Sequence, residues 1–226
     1  ITNIVYLLLC QKIDPATIDL LIFASTGQDV LEPATVHIVQ AEIGTNCQQV
    51  MDVKNACNSF LNALEIAVAF VEAGKYKSVL IATGEVPSKA AKYDIKSRDE
   101  FKKYRAGFTF GDAGTAVLVN SRAKIAAVLD SYFFSESDNW SVAMLKGGGS
   151  RYLNDPNAYS FEGDPQALIK PFFVHIKRLV VGFLERNKIT LDDIDHVFMH
   201  QVAEVFITTI CNGLDLPRSK IQVTIK

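Results

Sequence analysis

An α/β protein made of two related halves is the fold that the sequence predicts, and three observations predict it. Short β-branched runs alternate with longer stretches whose apolar residues recur at helical spacing: Gln49–Val53, then Phe60, Leu64, Ala67 and Val71, then residues 78–83. Lys12, Ile13, Ile18 and Asp19 return as Lys188, Ile189, Ile194 and Asp195, at a constant offset of 176 (188 minus 12). With 226 residues and 49% hydrophobic content, the chain can bury a sizeable core as one large domain or as two packed halves.

Taken in order, residues 4–11 read as the end of a helix, Asp14 and Pro15 as a break, and residues 20–24 as a buried strand. Residues 36–44 form a helical pattern that ends in glycine, and residues 49–53 a second strand. A polar turn with Asn55, Cys57, Asn58 and Ser59 comes next, then the long apolar helix that Gly74 stops, and a strand at 78–83. This strand, helix, strand unit belongs in a parallel sheet. Residues 93–105 are a charged excursion, expected on a solvated surface. Strands are expected at 115–120 and 125–130, and residues 135–163 form a long polar insertion that holds the only tryptophan, Trp140.

The second copy then repeats the first. Residues 172–186 read as a helix behind Pro171, 187–193 as a loop, 197–199 as a strand, 205–213 as a helix and 221–225 as a strand. The halves are placed at 1–121 and 122–226. The second copy reaches Lys226 at the point where the first is about to enter the Cys57 turn.

Composition removes several classes of function. A net charge of −2 and a pI near 6.1 give no electrostatic reason for a nucleic-acid partner. The apolar run at 4–10 is far too short to span a bilayer, so no membrane role is expected. Four cysteines with neither a CxxC pair nor Cys/His ligand spacing point to reduced thiols in the cytoplasm and to no metal site.

Candidate chemistry falls on few residues. Free cysteine usually behaves as a small buried hydrophobe, and Cys10, Cys47 and Cys211 are assigned that role. Cys57 stands apart, because a polar turn between a strand and a helix start favours a thiolate. His200 ends the strand at 197–199, and ligands in such sheets gather at carboxyl ends of strands. If the halves pack about a pseudo-twofold axis, Cys57 and His200 can face each other across the join. His37, His175 and His196 default to structural or surface roles. Gly147 and Arg151, in GGGSR, are candidate substrate-binding residues that could hold a phosphate through backbone N–H groups, although a flexible loop explains them as well. Phe110 to Val119, FGDAGTAVLV, precedes a strand rather than a helix and reads as a structural turn.

DVKNACNSF, FGDAGTAVLV and the His200–Gln201 pair, in this order and spacing, resemble the β-ketoacyl-acyl-carrier-protein synthase III family of the thiolase superfamily. The resemblance runs the length of the chain. It implies a five-layered αβαβα fold of two similar halves, usually a homodimer, with a Cys, His, Asn catalytic set. On that basis Cys57 is the acyl-accepting nucleophile and His200 the histidine of the HQAN motif. The implied reaction is a decarboxylative condensation in fatty acid or related lipid or polyketide synthesis, with acyl-CoA and a malonyl thioester as substrates and no cofactor. Acyl transfer to an oxygen or nitrogen acceptor, and a non-catalytic thiolase-fold partner subunit, are the competing functions.

Departures from the family pattern carry expectations of their own. Val202 and Ala203 follow Gln201 where the motif has alanine and asparagine. Glu32 precedes Pro33 where the family often has a large apolar gate residue. Val205 stands where initiating enzymes commonly carry an arginine that meets the acyl carrier protein, so acyl-CoA is the expected donor. By resemblance the catalytic asparagine would follow Lys226 and the adenine-binding residues would precede Ile1. These 226 residues alone are therefore not expected to condense substrates.

Overall fold

The computed structural model describes residues 12–122 and 127–225. Its strands are β1 (Leu20–Ala24), β2 (Gln49–Val53), β3 (Ser78–Glu85), β4 (Ala113–Asn120), β5 (Ala143–Met144) and β6 (Glu162–Gly163). Its α-helices are α1 (Thr35–Ile43), α2 (Ser59–Glu72), α3 (Arg98–Tyr104), α4 (Pro165–Asn187) and α5 (Glu204–Leu214). The residues divide into two compact units, Ile1–Pro87 with Gly111–Leu129, and Ser88–Phe110 with Asp130–Lys226.

The first unit is a four-stranded sheet in the order β2-β1-β3-β4, with β2 and β3 parallel to β1 and β4 antiparallel to β3. β1 is buried on both faces, which is why it reads as an unbroken apolar run. Its alternation divides the core: Leu21 and Phe23 pack with Val36 and Val39 of α1, whereas Leu20, Ile22 and Ala24 pack with Ala63 and Ala67 of α2. Leu80 and Ala82 join the α1 side, Val79 and Ile81 the α2 side. The two alanines have no exposed surface, and their small size lets α2 approach the sheet closely. α1 starts without a side-chain cap of its own, and Asp52 on β2 supplies one by accepting the N–H groups of Thr35 and Val36, each at 2.9 Å.

In the second unit α4 meets α5 through Phe172 and Phe206, whose ring centroids lie 4.8 Å apart. Ile207 and Cys211 of α5 form a core with Leu216 and Ile221. The repeat seen in the sequence returns as local geometry. Lys12 and Lys188 both take left-handed backbone, φ 52° and 56°. Three residues later each begins a 3-10 turn, Pro15–Thr17 and Leu191–Asp193. The parallel pairing of Leu21 with Val50 has its counterpart in a parallel bridge between Val197 and Ile221.

Several expectations need correction. The strands expected at 197–199 and 221–225 reduce to that single bridge, since two short segments without further strand neighbours among the described residues form few ladder bonds. The strand expected at 125–130 falls partly outside the described residues, and 127–130 are not paired in a sheet. α4 starts at Pro165 and carries Pro171 inside it, so Pro171 does not open the helix. α5 ends at Leu214, capped by Asp215 in left-handed conformation, rather than at Gly213. The helix expected at 4–11 lies outside the described residues.

Candidate active site

Parallel strands in register place their carboxyl ends together. In the first unit this gathers Ser25 after β1, the Cys57 turn after β2 and Glu85 at the end of β3. The Cys57 turn is tight. The N–H of Asn58 donates to the Asn55 carbonyl at 3.0 Å, and that of Ser59 to the Ala56 carbonyl at 3.1 Å. Ala56 sits at φ 47°, a left-handed conformation that costs a non-glycine residue about 1–2 kcal/mol.

Ser59 holds this strained turn in place. It is 2% exposed. Its hydroxyl accepts the N–H of Asn55 at 2.8 Å and lies 2.7 Å from the Ala56 carbonyl and 3.3 Å from that of Ser25. The Ser25 hydroxyl donates to the Gly84 carbonyl at 2.9 Å, and the Glu85 carboxylate accepts the N–H of Thr26 at 2.6 Å. Three side chains thus tie three strand ends around the cysteine.

Cys57 itself is exposed. Burial by the surrounding protein, followed by the negative charge of Glu85, nevertheless pushes its thiol pKa up. The sequence predicts the opposite sign, from the helix start. Cys57 lies just ahead of Asn58, outside the first turn of α2, and within electrostatic reach of the Glu85 carboxylate. The resting group is a thiol.

His200 belongs to the second unit and follows the Val197–Ile221 bridge. His200 is exposed at the surface, yet the protein packed around its ring removes enough water to lower its pKa, which favours the neutral imidazole near pH 7. Its ring has no hydrogen-bond or ion-pair partner among the described residues. A neutral, unengaged imidazole can offer an N–H to a developing negative charge.

Gly147 and Arg151 also lie in the second unit. The Gly147 N–H is occupied by the Ala158 carbonyl at 2.6 Å, and a side chain at this position would collide with the ring of Tyr159. Packing explains this glycine, and its N–H is not free for a phosphate. Arg151 lies over the ring of Trp140 at 5.4 Å and that of Tyr152 at 5.7 Å. Among the other cysteines Cys47 is half-buried and Cys211 buried, whereas Cys10 lies outside the described residues. Sequence reasoning missed Glu85, Ser59 and Ser25. The signal for Glu85 was its position at the end of a parallel strand.

Residues 51–137 match the family model for 3-oxoacyl-[acyl-carrier-protein] synthase III, a span that includes Cys57. β-Ketoacyl-[acyl-carrier-protein] synthase III 1 of Bacteroides thetaiotaomicron is 24% identical over 220 residues, covering 95% of this chain and 63% of that protein. The synthase III of Aliarcobacter butzleri is 31% identical over 218 residues, covering 92% and 62%. Among solved structures, OleA of Xanthomonas campestris superposes with a TM-score of 0.84 at 21% identity, covering 99% of this chain and 66% of that one. The synthase III of Aquifex aeolicus does so with a TM-score of 0.80 at 23% identity, covering 96% and 65%. These structures show the thiolase-like α/β fold. The chain spans about 63% of the length of the first curated relatives that it matches.

Proposed function

We propose that the chain, which is similar to the 3-oxoacyl-[acyl-carrier-protein] synthase III family, supplies Cys57 and His200 to an acyltransferase that condenses an acyl thioester with a malonyl thioester. The observation that carries the proposal is the placement of Cys57: exposed, in a strained and cross-tied turn, at the carboxyl ends of parallel strands.

The Cys57 thiol attacks the carbonyl carbon of the acyl thioester, and its proton passes to the departing donor sulfur. The tetrahedral intermediate collapses with loss of the donor thiol and leaves an acyl-cysteine. The malonyl thioester then loses CO2, and the electron pair passes into an enolate whose oxygen takes a hydrogen bond from neutral His200. The enolate carbon attacks the acyl-cysteine carbonyl, forms the new C–C bond and releases the Cys57 thiolate.

The proposal extends to acyl-CoA as donor, to two halves at 1–121 and 122–226, to a homodimer and to the cytoplasm. The repeated turns at Lys12 and Lys188 support two halves, and the absence of CxxC pairs supports a reducing compartment. Cys57→Ser is expected to abolish acyl loading, read by intact mass after mixing the protein with a panel of acyl-CoAs. Loading that survives this substitution, or that maps to Cys47 or Cys211, would overturn the assignment.

A further inference from the structure

His200 is followed by a side chain whose hydrogen bonds are all directed at one neighbouring segment. The Gln201 amide nitrogen donates to the Gln222 carbonyl at 2.6 Å. Its amide oxygen accepts the N–H of Thr224 at 2.9 Å and that of Ile225 at 3.3 Å, with the Thr224 hydroxyl at 3.4 Å. The opposite amide orientation would set NH2 against two N–H donors and oxygen against a carbonyl, so the network fixes which way the amide points.

The same segment holds the chain on the other side of His200. Val197 donates to the Lys220 carbonyl at 2.8 Å and accepts the N–H of Gln222 at 3.1 Å. The Gln222 side chain meets His196 Nδ1 at 3.0 Å. The stretch from 196 to 201 is therefore stitched to 220–225 at both ends, with His200 between the stitches and its ring unengaged. Met199 and Ile225 share the apolar cluster beneath, which contributes packing but no direction.

We propose that Gln201 is a positioning residue: it clamps the backbone of Gln222, Thr224 and Ile225 and thereby fixes where the His200 imidazole stands. Its carbonyl oxygen already takes three donors, so that atom is committed to the clamp. This rests on the condensing function proposed for His200. Its effect belongs in the turnover of the bound malonyl thioester rather than in the binding, because an imidazole displaced by about 1 Å loses transition-state contact, for about a tenfold to hundredfold cost.

Two variants of the whole protein test it. Gln201→Ala removes every bond of the clamp. Gln201→Glu keeps an acceptor for Thr224 and Ile225 but sets a carboxylate oxygen against the Gln222 carbonyl. Amide hydrogen exchange at Thr224 and Ile225 should accelerate in the alanine variant and remain slow in the glutamate variant. Malonyl-thioester decarboxylation should fall in kcat by about tenfold or more in the alanine variant and by less in the glutamate variant, with KM little changed in both. Unchanged exchange in the alanine variant would overturn the clamp. A lost clamp with unchanged kcat, or a loss confined to KM, would overturn positioning. Acylation of Cys57 in the unsubstituted protein decides the functional proposal separately, and its failure would leave the exchange measurement to decide the clamp.

Discussion

Cys57 is held as a thiol by its surroundings, and Glu85 contributes from the end of β3, two strands away in the sheet. Burial comes first and the carboxylate second in raising the thiol pKa, and both reduce the thiolate fraction at neutral pH. Alkylation of Cys57 by iodoacetamide should accelerate as pH rises, with its midpoint above the ordinary thiol range. Glu85→Gln removes the negative charge and should move that midpoint down, making alkylation at neutral pH faster. An unchanged or slower rate in the variant would mean that Glu85 does not act on the thiol. Cys57 should still label ahead of Cys47 and Cys211, because it alone of these three is exposed.

At the scale of elements, two carboxylates and one hydroxyl join pieces that are distant in sequence. Asp52 caps α1 from β2, so Asp52→Ala should destabilise the fold by about 1–2 kcal/mol in chemical denaturation, as cap removals do. Ser59→Ala leaves the Asn55 N–H without its acceptor and frees the Ala56 strain; a loss of about 1–3 kcal/mol, together with slower acyl loading, is expected. Wild-type loading in that variant would show that the turn holds without the hydroxyl. In the second unit Arg186 donates to Asp130 through Nε at 2.9 Å and Nη2 at 2.5 Å, and Asn187 donates at 2.6 Å. The Arg186 bond, then that of Asn187, lowers the Asp130 pKa. A depressed folded-state pKa contributes stability above the ordinary carboxylate range, and that stability is lost as pH falls through the folded value. The stability gap between the parent and Asp130→Asn should therefore be complete near neutral pH and close in acid. A gap that is constant with pH would exclude this linkage.

For the whole molecule, the face of α5 beyond His200 bears on the donor. Val205 is 68% exposed, Asn212 and Gly213 are exposed, and the helix has no basic residue in its last turn. Without positive charge there, an acidic carrier protein gains little electrostatic steering from this surface. Acyl-CoA should compete well with acyl-carrier protein, and the rate with the carrier should depend weakly on salt; a steep salt dependence would refute this. The sequence by itself determined the α/β class, the order of elements from β1 to β3, the repeat at Lys12 and Lys188, and Cys57 as the residue to test, because apolar period, glycine stops and polar interruptions are local properties of a chain. It misjudged the start of α4, the strand character of 197–199 and 221–225, and the sign of the Cys57 shift. Only the tertiary structure decided those, and with them the parts played by Ser59, Glu85 and Gln201. Ladder pairing, burial and the distance between charges depend on segments that folding brings together: Ser25 meets Ser59, Glu85 meets Thr26, and Gln201 meets Thr224, each across at least 23 residues of chain that carry no local sign of the contact.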